Sequence, residues 1–187
     1  MPLLLLKHIL AAGGVAGRTA AIARIVEEVW PAAEGDAGMR AFEVTLSRLR
    51  KILGHSQAVR AQGGRVGLDP RLCWVDLAAL DALLDAPGAT PEAVLALYGG
   101  RFLGDDDEAP TFGAVAARVQ ARVTRRLLAL LERTERESPD VAASIYFRAV
   151  ERDEGLVTLR AAAERCWARA QKAAAGAAGA DADGSDD

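Results

Sequence analysis

The 187 residues include 51% hydrophobic side chains but only 5% aromatics, and the formal net charge is −3. A core built from Leu, Val and Ala favours helices over a β-sandwich, and the length suits one large or two small domains. No apolar run is long enough to span a bilayer, because Lys7 and His8 interrupt Leu3–Leu6, so a cytoplasmic chain with no membrane partner is expected.

In chain order, residues 3–12 read as a first helix and residues 18–30 as a second, with Gly13-Gly14 and Gly17 between them. Ile22, Ile25, Val26 and Val29 mark the buried side of the second helix, and Trp30-Pro31 ends it because proline cannot continue the ladder. Glu34-Gly35-Asp36 forms a turn, with Asp36 the N-cap of a third helix over residues 38–53. At about 100° per residue, Phe42, Leu46, Leu49 and Leu53 fall on one stripe of that helix. Arg40, Val44, Ser47, Arg48 and Lys51 fall on the other side. Arginine can fork onto guanine, valine can touch a thymine methyl, and lysine or serine can hold phosphate, so this face suits a DNA major groove. Residues 58–61 and 65–68 read as hairpin strands, with Gly63-Gly64 supplying the positive-φ turn and Arg60 and Arg65 on the arms. Three helices and a hairpin, in that order, make a winged helix-turn-helix.

The second half reads as helical throughout. Residues 75–84 and 91–98 form short helices, the second with Pro91 at its first position and Gly99-Gly100 as its stop. A long helix from about residue 110 to 136 carries Val115, Val119, Val123, Leu127, Leu130 and Leu131 on its apolar side. After the Ser138-Pro139-Asp140 turn, residues 141–150 and 156–170 form a helix pair. Ala143, Tyr146 and Ala149 give it a tetratricopeptide-like pattern, in which small residues let paired helices approach closely. Residues 173–187 are almost all Ala, Gly and Asp and read as a disordered acidic tail.

Arg24–Trp30, Phe42–Lys51 and Val59–Val66 together resemble the OmpR/PhoB winged-helix family across residues 1–70. Trp74-Val75-Asp76, Leu97–Leu103 and Asp107–Pro110 extend the resemblance to regulators of the antibiotic regulatory protein type, in which a bacterial transcriptional activator domain follows the winged helix. The resemblance implies base-facing roles for Val44 and Arg48, phosphate contacts for Thr45, Ser47 and Arg50, and a minor-groove role for Arg60. Gly64 stands where the family usually has an aromatic wing residue. The family's first helix normally follows a small antiparallel sheet, whereas Met1–Leu6 opens directly into helix, so Leu4 and Leu5 are expected to be unusually exposed.

No catalytic constellation is legible. His8 and His55 lack triad or metal partners and read as surface or turn residues, and Gly13–Arg18 lacks the strand and Gly-Lys-Ser/Thr ending of a phosphate loop. Asp105–Glu108 reads as a solvated acidic turn, not a calcium loop. Cys73 and Cys166, far apart and outside any metal-ligand spacing, read as buried thiols in a reducing compartment. No cofactor or metal is expected.

Charge separates along the chain. Residues 1–70 hold nine Lys/Arg against six Asp/Glu, a net +3, and residues 71–187 net −6. A modest +3 implies weak binding by a monomer, so affinity should rest on a dimer or on tandem sites.

The sequence therefore predicts a mainly α chain. A three-helix winged helix-turn-helix with a short C-terminal β-hairpin occupies residues 1–70, an all-helical tetratricopeptide-like domain residues 71–172, and a disordered tail residues 173–187. The expected function is sequence-specific transcriptional regulation without enzymatic activity. Its expected partners are double-stranded DNA, a second protomer and the transcription machinery. Two alternatives stand beside it: a helical adaptor that recognises protein and not DNA, and a sensor whose helical groove holds a small effector.

Overall fold

The computed structural model describes residues 1–104 and 110–183, with side chains described as far as residue 175. The Asp105–Glu108 turn and the last four residues of the tail, both subjects of expectations above, lie outside the described residues. Eight helices and a small antiparallel sheet make up the described chain. It divides into two compact units, Met1–Ala79 with Asp106–Val115, and Leu80–Asp105 with Ala116–Asp187.

In the first unit, α1 spans Pro2–Ala11, with proline at the start where its missing N–H costs nothing. The strand β1 (Ala20–Ala21) follows, then α2 (Ile22–Val29) and α3 (Ala37–Ile52). Residues 20 and 21, expected to lie in the second helix, instead pair with the hairpin strand β3 (Arg65–Leu68), Ala20 opposite Val66 and Ala21 opposite Arg65. Two alanines show no alternation by which a strand could be read. β2 (Val59–Gln62) pairs with the other edge of β3, giving the order β1-β3-β2. The β2–β3 turn has Gly63 at φ 58° and Gly64 at φ 72°, a left-handed pair that glycine adopts without steric cost.

The core of this unit joins Leu5 and Ile9 of α1, Ile22, Ile25 and Val29 of α2, Phe42, Leu46 and Leu49 of α3, and Val59, Val66 and Leu68 of the sheet. Leu5 is fully buried, contrary to its expected exposure, because it faces this core; Leu3 is the exposed leucine of that run. Leu53 lies just past the end of α3 and is exposed, so the apolar stripe stops at Leu49. Asp36 occupies the N-cap of α3 without a side-chain cap hydrogen bond. His8 is buried, not at the surface: its Nδ1 lies 3.0 Å from Glu28 Oε2 and its ring centroid 4.8 Å from that of Phe112. Hydrogen bonds from Arg24, His8 and Thr111 outweigh burial and hold the Glu28 carboxyl below its ordinary range. Cys73, Val75 and Ala78 pack against the same core, which carries the first unit past the boundary expected near residue 70.

The second unit takes in the end of α4 (Asp76–Asp85), α5 (Pro91–Leu97), most of α6 (Pro110–Glu137), α7 (Pro139–Arg152) and α8 (Val157–Asp183). Thr90 Oγ1 caps α5 by accepting from the Ala93 N–H at 3.2 Å. Val119, Val123, Leu127 and Leu131 of α6 are buried, as the apolar stripe predicts, whereas Leu130 at its edge is only half-buried; Cys166 is buried and Cys73 half-buried. Small side chains line the α7 and α8 faces: Ala142, Ala143 and Ala149 on one, Ala162, Ala163 and Cys166 on the other, all fully buried. α8 continues through Ala173 to Asp183, where a disordered tail is expected. Alanine's backbone preference extends the helix there, a local effect that an argument from burial alone leaves out.

One buried carboxylate organises this unit. Asp153, at the C-cap of α7, accepts from the Tyr98 hydroxyl, from Gln120 Nε2 at 2.8 Å and from the Gly155 N–H at 2.9 Å. Burial and the Asp153 contact push the Tyr98 phenol well above its ordinary range. Replacing Asp153 by Ala leaves three donors without their acceptor, and each unsatisfied buried group costs about 1–3 kcal/mol. Asp153→Ala should therefore lower the unfolding free energy of the second unit by about 2 kcal/mol or more, seen as a lower urea midpoint, whereas Asp153→Asn, which keeps one acceptor oxygen, should lower it less.

Candidate nucleic-acid interface

Burial of Phe42, Leu46 and Leu49 fixes the rotation of α3 about its own axis, since each such side chain contributes about 1.5–3 kcal/mol when removed from water. The opposite face must then point outward. Arg40, Val44, Ser47, Arg48 and Lys51 are all exposed, Val44 at 52%. They recur at three- and four-residue spacing, so they form one continuous strip along the helix. Among the described residues, the side chains of Arg40, Arg48 and Lys51 have no hydrogen-bond or ion-pair partner. Several cations of α6 differ: Arg122 holds Asp81 and Asp85, Arg133 holds Glu137, and Arg136 holds Glu132.

Two of the expected phosphate contacts are placed elsewhere. Thr45 is only 6% exposed, because its position on the helix lies beside Leu46 and Leu49 on the inner side. Arg50 is half-buried and donates Nε and Nη2 to the Val59 carbonyl, at 2.9 and 2.7 Å. It fastens α3 to β2 and so supports the exposed strip from behind.

The sheet presents its own basic face. Register places Arg60 opposite Gly67 and Gln62 opposite Arg65, and side chains alternate along a strand. Arg60, Gln62 and Arg65 therefore share one face, turned away from Val59 and Val66 in the core. Arg65 donates Nε to Thr19 Oγ1 at 2.6 Å and Nη2 to the Thr19 carbonyl. Arg60 pairs with Asp69, which is only 3% exposed.

Sequence reasoning passes over Asp69, Thr19 and Arg71. Asp69 Oδ1 accepts from the Arg71 N–H at 3.0 Å, an Asx-type turn for which Asp69-Pro70 is a local signal. Arg71 also donates Nη2 to Asp69 Oδ2 at 3.1 Å. The hydrogen bonds from Arg71 first, then the nearby Arg60 charge, hold the Asp69 carboxyl at about 2. The remaining acid on α3, Glu43, is exposed.

Two outcomes follow. Arg50→Ala should lower the melting temperature, by the equivalent of about 1 kcal/mol, because the buried Val59 carbonyl loses its donor. Arg48→Ala, at an exposed side chain without a partner, should leave the melting temperature unchanged. For Asp69, a folded-state value depressed from about 3.9 means that its stabilisation is complete above pH 4 and is lost as pH falls towards about 2. Melting curves from pH 7 to pH 2 should show wild type above Asp69→Asn at neutral pH and the two converging in that acid window. A gap that stays constant would remove the charge of Asp69 from the account.

No protein-family model, curated protein or solved structure matches this chain.

Proposed function

We propose that the protein is a sequence-specific DNA-binding transcriptional regulator, with the first unit acting as a winged helix-turn-helix and α3 lying in the major groove. The observation that carries this reading is the exposed α3 strip of Arg40, Val44, Ser47, Arg48 and Lys51, whose three cationic side chains have no partner among the described residues. A solvated cation costs the fold little to leave unpaired, and an unpaired strip at groove-reading spacing is what a polyanion with base edges requires. Arg48 and Val44 read base edges in this mechanism, Arg40, Ser47 and Lys51 hold phosphates, and Arg60 and Arg65 engage the adjacent backbone or minor groove. Arg50 and Thr45 support the helix and touch no DNA.

The second unit serves protein contact. Its helices α7 and α8 pack through buried alanines, which is compatible with a tetratricopeptide-like unit, and on this reading its partner is a second protomer or the transcription machinery. The resemblance to the activator domain of antibiotic regulatory proteins points the same way. The chain requires no cofactor for this role and performs no catalysis. No helix among the described residues is long and apolar enough to cross a membrane.

A second reading, a helical adaptor that recognises protein through the first unit, is favoured by one feature. Trp74 is 74% exposed and borders an apolar depression lined by Leu6, Leu10, Leu53 and Leu68.

Fluorescence anisotropy with fragments from upstream of the protein's own gene, titrated with salt, separates the two. A regulator binds with an affinity that falls steeply with salt, and Arg48→Ala loses at least about tenfold in discrimination between specific and random DNA. Weak binding that is equal in wild type and Arg48→Ala, or none, sinks the regulator reading and leaves the adaptor.

A further inference from the structure

The basic face of the sheet closes into a concavity of about 320 Å3, lined by Arg18, Thr19, Arg60, Gln62, Arg65 and Gly67 among others. The three arginines are not equivalent. Arg60 and Arg65 are each held in place, by Asp69 and by Thr19, yet a guanidinium has five donor hydrogens and these contacts use only some of them. Arg18 is exposed and has no hydrogen-bond or ion-pair partner for its side chain among the described residues.

The backbone beneath Arg18 is nonetheless fixed. Its N–H donates to the Val15 carbonyl at 2.9 Å, and the two residues before it are left-handed, Ala16 at φ 53° and Gly17 at φ 81°. Positive φ at alanine is an unfavourable conformation that persists only where the surroundings impose it. Gly67 is part of that imposition: a Cβ there would sit 2.4 Å from the Arg18 carbonyl oxygen, so only glycine lets the loop lie this close to β3. Arg65 ties down the neighbouring Thr19 on the other side. The loop, the sheet face and two of the guanidiniums are thus ordered before any ligand arrives, which lowers the entropy that binding must overcome.

The concavity is cationic despite the carboxylate in its lining. Three guanidiniums line it against one acid, and that acid, Asp69, is shared between Arg60 and Arg71, which lies outside the lining. Converging arginine forks on a concave polar wall match a tetrahedral oxyanion, which accepts several N–H bonds at once. We propose that this concavity binds a phosphodiester group of the DNA backbone, with Arg18 as the donor left unoccupied for it. The proposal deepens the DNA reading above and rests on it. A phosphodiester and a free phosphate offer the same oxygens, and the test separates them.

The test compares full-length wild type, Arg18→Ala, Arg18→Lys and Arg48→Ala by anisotropy on one specific and one random duplex over a range of potassium chloride. Arg18→Ala should weaken binding on both duplexes alike and reduce the salt slope by about one, while keeping the wild-type discrimination between them. Arg18→Lys should recover the slope, since it restores the charge; circular dichroism melting checks that each variant folds as wild type does. Arg18→Ala with the wild-type slope overturns the subsite while leaving the regulator reading intact, provided Arg48→Ala loses discrimination. Wild type that binds neither duplex overturns both. Thermal stabilisation by millimolar inorganic phosphate that disappears in Arg18→Ala, with the DNA salt slope unchanged, makes the concavity a free-anion site and overturns the proposal.

Discussion

Arg50 ties the end of α3 to the start of β2, donating two N–H groups to one carbonyl, that of Val59. The interaction connects the helix that carries the exposed basic strip to the sheet that carries the second basic face. Val59 is fully buried and pairs with Leu68 across the hairpin, so the position of that carbonyl is set by the sheet and the core together. The carbonyl has lost water by burial and would be costly to leave without a donor. The exposed strip of α3 and the basic face of the sheet are therefore held in one geometry by a group that faces neither. An arginine suits this position because its planar fork can bring two donors to one acceptor, which an ammonium does with less directional control.

The same economy explains how the cations are distributed. Turning α3 by half a turn would expose Phe42, Leu46 and Leu49, at a cost of roughly 5–9 kcal/mol, far more than the repulsion among Arg40, Arg48 and Lys51 in water could repay. Packing decides the orientation, and the charges follow. Elsewhere in the unit, acids pair with arginines: buried Asp69 serves Arg60 and Arg71, and partly buried Glu28 serves Arg24. The α3 strip is left without such compensation. Surface pairs contribute little to stability, so leaving these three unpaired costs the fold almost nothing and keeps their charge available.

Helix order, the hairpin and the apolar stripes of α3 and α6 were legible because each repeats a period over several residues, with glycine or proline at its ends. The elements that escaped have no period. β1 is two alanines, recognisable as a strand only through its partner β3. The inward placement of Thr45 was hidden because a short polar side chain at the edge of a stripe fits either side of a helical wheel, and only the elements packed against α3, chiefly α1 and α2, decide between them. Arg50 shares its residue type with the exposed arginines, and its role depends on a carbonyl nine residues later, which no local pattern records. Asp153 is the clearest case in the second unit. Its partners Tyr98 and Gln120 lie 55 and 33 residues away, and a lone Asp after a helix reads as a solvated turn until those elements are assembled around it.

Charge also sets what the second unit must supply on the regulator reading. A net +3 spread over the first 70 residues neutralises few phosphates, and each phosphate contact adds one increment to a salt-dependent affinity. A single copy should then dissociate readily at physiological salt. Joining two copies through the helical unit makes the second contact intramolecular, and the effective concentration raises affinity without any new cation on the DNA-facing surface. The acidic second half, at −6, adds a constraint of its own. A surface of that sign is repelled by DNA, so it favours orientations in which the basic unit leads and the helical unit stays clear of the duplex. On the regulator reading, the separation of charge along the chain therefore favours approach to DNA through the basic first part of the chain.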